Sequence, residues 1–240
     1  MQMLWLSRKD IEHISRRLLR DYLKKVPQKV DHIDPADFAE KMCGLQFTFA
    51  DISEAYDAIG LTATSGVIIT IPQRDGTKLD YELDGKTAFI DQSLVAEKQI
   101  GRLNFTMMHE AAHQLFWMLY PEECEVQTPR CIFRMADEHT QYPVLNWEEW
   151  QTNVLTSFLL LPKELVYRHM ADVGLKNGIS VLNRIYARKD YERFSEAAKR
   201  LGVSKTALTI RLSQLGLVGR NDLYDPYALV DIFPEKNELA

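Results

Sequence analysis

Residues 103 to 120 run without a proline or glycine until Pro121, and Phe105, Met108, Ala112, Leu115, Phe116 and Leu119 recur through them at helical spacing. The spacing predicts one long helix with His109-Glu110-Ala111-Ala112-His113 in its middle. Histidines at i and i+4 share one helix face a turn apart, so both imidazoles can reach one cation. Glu110 projects to the side of that pair, where its carboxylate can act as general base toward water. The chemistry expected of the stretch is metal-assisted hydrolysis. The competing reading is structural, with two core histidines satisfied by hydrogen bonds.

The 240 residues are 46% hydrophobic and 26% charged, enough for one large domain or two small ones with a substantial core. A net charge of −5 argues against broad, sequence-independent binding of nucleic acid. No apolar run approaches the length of a membrane span, and the start Met-Gln-Met-Leu-Trp-Leu-Ser lacks the layout of a signal peptide. The expectation is a cytoplasmic protein. Its three cysteines, Cys43, Cys124 and Cys131, suit a reducing compartment. Cys124 and Cys131 invite a bridge or a second metal, but their spacing matches no zinc-finger pattern.

Residues 8 to 25 place Ile11, Ile14, Leu18, Leu19 and Tyr22 on one face of an amphipathic helix. Asp34 and Pro35 predict the start of a second helix, and Gly44 its stop. From Leu45 to Asp91 the period becomes two. Gly66 to Ile71, Lys78 to Leu83 and Lys86 to Ile90 read as three strands of a small antiparallel meander, with tight turns at Asp75-Gly76 and Asp84-Gly85. Such a sheet behind a metal helix can offer an edge to an extended peptide. Residues 120 to 146 are polar and lack periodicity, whereas 147 to 161 recover helical order before Pro162, and a further helix is expected to Asp172. The fold class expected is α+β, mostly helical.

A catalytic zinc site needs a third protein ligand and keeps one position for water. Glu149 is the best candidate, with Asn153 one turn further on the same face to orient a ligating imidazole. Glu148 is the nearest rival, and Glu138 and His139 lie in a stretch without fixed geometry.

Gly101-Arg102-Leu103-Asn104-Phe105-Thr106 leading into His109-Glu110-Ala111-Ala112-His113, followed by Glu149-x-x-x-Asn153 and Leu159-Leu160-Leu161-Pro162, resembles the two motifs of the ImmA/IrrE-type metallopeptidases. The resemblance covers most of residues 30 to 217. It implies a zincin-like peptidase domain, zinc held by His109, His113 and Glu149 (with manganese as the alternative ion), and Glu110 as general base. It also implies a regulatory protein, such as a transcriptional repressor, as substrate or partner. The chain departs from the family in carrying Ala111-Ala112 for the usual Leu-Gly, Thr152 for the usual Ala, and a longer segment from 120 to 146. On this reading residues 1–30 form an N-terminal helix, 31–175 the peptidase domain, and 176–240 a C-terminal helical region.

Within that last region, a helix from Tyr191 to Leu201, a turn at Gly202-Val203 and a helix capped by Ser204 make a helix-turn-helix pattern at 191–216. Lys199, Arg200, Lys205 and Arg211 are its candidates for phosphate contact. The preferred reading is that these helices complete the peptidase core. Two alternatives to the enzyme therefore stand: a metal-stabilised protein-binding regulator, and a DNA-binding regulator. Tyr142, His139, Tyr167 and Arg168 are equal candidates for stabilising an oxyanion.

Overall fold

Helix α1 (Arg8–Lys25) begins with a reciprocal cap: Ser7 Oγ accepts from the Asp10 amide while Asp10 Oδ2 accepts from the Ser7 amide. A computed structural model describes residues 5–27, 29–52, 58–64, 66–72, 76–96, 99–124, 131–135 and 147–227. Helix α2 (Pro35–Cys43) is capped by the Asp34 carboxylate and closed by Gly44, whose φ of 68° only glycine adopts cheaply. Both ends fall where the sequence predicts them.

The strands depart from the expected meander. Strands β1 (Gln46–Ala50), β2 (Ala58–Ala63), β3 (Val67–Pro72), β4 (Lys78–Leu83) and β5 (Thr87–Asp91) follow in order. β3 and β4 form the expected antiparallel hairpin, with Ile69 opposite Tyr81. β5 does not continue that hairpin. It runs parallel to β1 and antiparallel to β2, in a four-stranded sheet of order β1-β5-β2-β6, where β6 is Cys131–Met135. Burial is the reason: Ala88, Phe89, Ile90 and Asp91 are all buried, so β5 needs neighbours on both sides and cover on both faces. The single three-stranded sheet is thus replaced by this mixed sheet, the β3–β4 hairpin, and a third pair described below.

Short helix α3 (Ser93–Ala96) leads to α4 (Ile100–Leu119), the long helix of the central motif. After it, β6 (Cys131–Met135) pairs antiparallel with β2 and takes the edge of the sheet, although the sequence there shows no strand period. Residues 125–130 and 136–146 lie outside the described part, and with them Glu138, His139 and Tyr142. Helices α5 (Trp147–Leu160) and α6 (Lys163–Asp172) match expectation within a residue or two.

Strand β7 (Ile179–Leu182), helices α7 (Arg188–Arg200) and α8 (Lys205–Gln214), and strand β8 (Val218–Asn221) are the last elements among the described residues, with β7 and β8 paired in parallel. Ser204 caps α8 as predicted, its hydroxyl accepting from the Ala207 amide. One continuous apolar core joins α1, α2 and α4 to α8, with Ile11, Phe38, Met108, Leu159, Phe194 and Leu208 at its centre. Arg211 belongs to this interior. It is only 5% exposed, its Nε donates to the Leu161 carbonyl at 3.0 Å, and its guanidinium lies over the Phe158 ring. It is therefore a structural anchor of α8 on the end of α5, and the expectation that it could touch phosphates is corrected. The fold is α+β, and no described helix is long and apolar enough to cross a membrane.

Candidate metal centre

Helix α4 is buried along two turns and more, from Thr106 to Trp117, because both of its sides are covered. β2 and β5 lie against one side, and α2 and α5 against the other. Gln114 ties the helix to the sheet: its Nε2 donates to Thr62 Oγ1 and to the Ala63 carbonyl, each at 2.9 Å. Phe105, His109, His113 and Trp117 form a column one turn apart. Phe105 stacks on His109 and Trp117 on His113, with ring centroids 6.5 and 5.9 Å apart. The two imidazoles are thereby held edge to face, with their Nε2 atoms 3.1 Å apart.

α5 brings the third group. Glu149 Oε2 lies 3.2 Å from His109 Nε2, and Oε1 lies 3.1 Å from His113 Nε2. Among the described residues these three form the one cluster that could hold a metal ion, with ligand atoms all within 4.8 Å of one another. Their spacing suits the donors of a tetrahedral zinc site, which stand roughly 3.3 Å apart when zinc–nitrogen bonds are about 2.0 Å. Glu148, the rival, is not a member of that cluster, and its backbone carbonyl accepts from the Thr152 hydroxyl at 2.9 Å.

With that proton committed, Thr152 Oγ1 is an acceptor toward His113 Nδ1, 3.4 Å away. An Nδ1–H pointed at Thr152 leaves the Nε2 lone pair for a cation. Thr152, not anticipated as a functional residue, thus takes a supporting position beside His113. Asn153 follows it and lines, with Phe105 and Trp150, a groove of about 640 Å³ bounded on its far side by Ser204, Ala207 and Ile210.

Electrostatics reinforce the cluster. Burial works to raise the Glu149 pKa, but hydrogen bonds from His109 and His113 outweigh it and hold the carboxyl well below its ordinary range. For His113, burial disfavours the charged form, yet the Glu149 hydrogen bond and the carboxylates of Glu149, Glu110 and Glu148 raise its pKa overall.

Glu110 is wholly buried between α4 and β2. Opposite it stands Gly60, where an added Cβ would lie 2.3 Å from Glu110 Oε1 and 2.7 Å from Thr106 Cγ2. The missing side chain at Gly60 is what gives the carboxylate its room. A lone glycine in a strand marks close approach, which was the available sequence signal for this residue. The turn of α5 that carries Glu149 is fastened from outside: Trp147 stacks on Trp150 and packs against Trp5, and Gln151 Oε1 accepts from the Leu6 amide at 2.8 Å.

Other candidates stand apart. Arg168 donates to the Val30 carbonyl and pairs with Asp31, and Tyr167 lies under Lys163. Cys124 is buried, its thiol toward the Phe116 carbonyl, and the side chain of Cys131 lies outside the described part. Burial pushes the Cys43 thiol up to about 11, so it stays protonated near neutral pH. The chain matches no family model and no curated protein, so its functional reading stands on these residues.

Proposed function

We propose that this chain is a zinc-dependent metallopeptidase of the ImmA/IrrE type, with a zincin-like peptidase domain, that hydrolyses a peptide bond in a regulatory protein such as a transcriptional repressor. The observation that carries the reading is the convergence of His109, His113 and Glu149 beside a buried Glu110. Two imidazoles and one carboxylate suit zinc better than manganese, which favours oxygen-rich sites. Zinc held there supplies Lewis acidity, bringing water toward ionisation near neutral pH and polarising the scissile carbonyl.

His109 and His113 bind through Nε2, and Thr152 fixes the tautomer that His113 needs. Glu149 would complete the three-residue set that holds the ion, its carboxylate offsetting part of the cation's charge. The Glu110 carboxylate receives a proton from the attacking water and returns it to the leaving amine. The enclosed position of Glu110 limits competing solvent.

Burial of the same groups also favours a second reading, in which the metal stabilises a protein-binding regulator that does not cut. The DNA-binding reading loses support, since Arg211 is committed to the core and Lys205 Nζ donates to the Tyr191 hydroxyl. Incubation of the metal-loaded protein with the regulatory protein encoded nearest its gene, followed by mass spectrometry, separates the first two. The enzyme reading expects a discrete cleavage that vanishes in Glu110→Gln while zinc is retained. A Glu110→Gln variant that cleaves, or regulates, as well as wild type overturns it.

A further inference from the structure

A second groove of about 640 Å³ shares Phe158 with the one beside Asn153 but is otherwise lined by different residues. Its floor is apolar, made of Leu19, Leu23, Ile33, Phe158 and Leu165 from α1, the α1–α2 connection, α5 and α6. Leu23 is 48% exposed there and extends the apolar floor toward solvent. The rim is cationic: Arg16, Arg20 and Lys24 stand one turn apart along α1, and Lys29, Lys163 and Arg168 face them.

Glu12 and Glu164 are the carboxylates of the lining, and Asp21 and Asp31 stand just outside it. Three of those acids pair with the rim, Glu12 with Arg16, Asp21 with Lys24 and Arg20, and Asp31 with Arg168, and all these side chains but the partly buried Glu12 and Arg168 stand largely in solvent. Such pairs are weak and readily exchanged for another carboxylate. The balance of the groove is positive on a chain whose net charge is −5.

We infer that this groove docks an acidic amphipathic helix of a partner protein. The apolar floor takes its leucine-like side chains at i, i+4 and i+7, and the cationic rim pairs with the carboxylates flanking them. The ridge from Arg16 to Lys24 spans about 12 Å at 1.5 Å per residue, so the occupant engages through roughly two to three turns. Positive charge on both walls and an apolar floor between them favour a helix with acid on its two flanks over a neutral one. This assignment is independent of what the metal centre does.

The test uses the full chain and a fluorescein-labelled, helix-stapled peptide of about 14 residues, with leucines on one face and glutamates beside them. Its controls are a scrambled peptide of the same composition, a glutamine-for-glutamate version, and vesicles of phosphatidylserine and phosphatidylcholine. The expected result is saturable binding of the amphipathic acidic peptide alone, weakening as salt rises. Binding should fall at least about tenfold in the Arg20→Glu/Lys24→Glu double variant and in Leu23→Asp, and stay unchanged in Arg188→Glu, an exposed substitution on α7 outside the groove. Circular dichroism confirms that the exposed substitutions leave the fold intact. Equal binding of the scrambled peptide, equal binding by the charge-reversed variant, no binding of the acidic peptide up to about 1 mM, or binding of anionic vesicles in its place overturns the inference.

Discussion

Gly60 and Thr152 show how much of the site depends on single atoms outside the metal ligands. Gly60→Ala places a methyl 2.3 Å from Glu110 Oε1, and the flexible end of the glutamate must move. Hydrolysis is expected to fall by about 100-fold or more, the scale of losing a positioned general base, while zinc content is unchanged. Loss of zinc together with activity would place the damage elsewhere. Thr152→Val keeps the shape and removes the acceptor from His113 Nδ1. Zinc affinity measured with a competing chelator should drop about 10- to 100-fold. The convergence of His109 and His113 on one helix face was legible in the sequence because their spacing is set by the helix itself. Gly60 and Thr152 were not, because they matter through a strand and a helix that only the tertiary fold brings against α4.

Among the elements, α4 is the axle, and its N-terminal end is as tightly fitted as its middle. An added Cβ on Gly101 would meet the Ser204 backbone nitrogen at 2.4 Å, and Asn104 Nδ2 donates to the Gly202 carbonyl at 2.8 Å. The turn between α7 and α8 is therefore seated on the metal helix. Because the clash is with backbone, Gly101→Ala should destabilise the protein by about 1–3 kcal/mol, seen as a lower midpoint in urea unfolding. An unchanged midpoint would show that the turn is not held there. The helices were readable because their caps and stops are local: Asp34 and Pro35 at one end of α2, Gly44 at the other, Ser204 before α8. The sheet was misread because β2, Ala58 to Ala63, is buried at every position and carries no alternation, and because β5 leaves its sequence neighbour β4 to pair with β1 and β2. Pairing between distant strands leaves no short-range mark.

At the scale of the whole molecule, the candidate metal centre couples protonation to stability. Without metal, the raised pKa of His113 contributes stability that is full below its ordinary value of 6.5 and is lost as pH rises through the folded value. The lowered pKa of Glu149 contributes stability above its ordinary value of 4.5 that is lost as pH falls through the folded value. The chelated protein is thus best supported at mildly acid pH. Metal requires His113 deprotonated, so binding releases a proton and tightens as pH rises. The rise in melting temperature on adding zinc should therefore grow from about pH 6 to about pH 8. A zinc-induced shift that is flat or shrinks over that range would contradict the assignment of His113 as a ligand.

The account turns on whether His109, His113 and Glu149 together hold a metal, and this is tested most directly by elemental analysis of the purified protein. Stoichiometric zinc is predicted in wild type and in Glu110→Gln, with zinc lost after dialysis from His113→Ala and Glu149→Ala. Wild type that neither carries nor takes up zinc, or full retention by His113→Ala or Glu149→Ala, would contradict it.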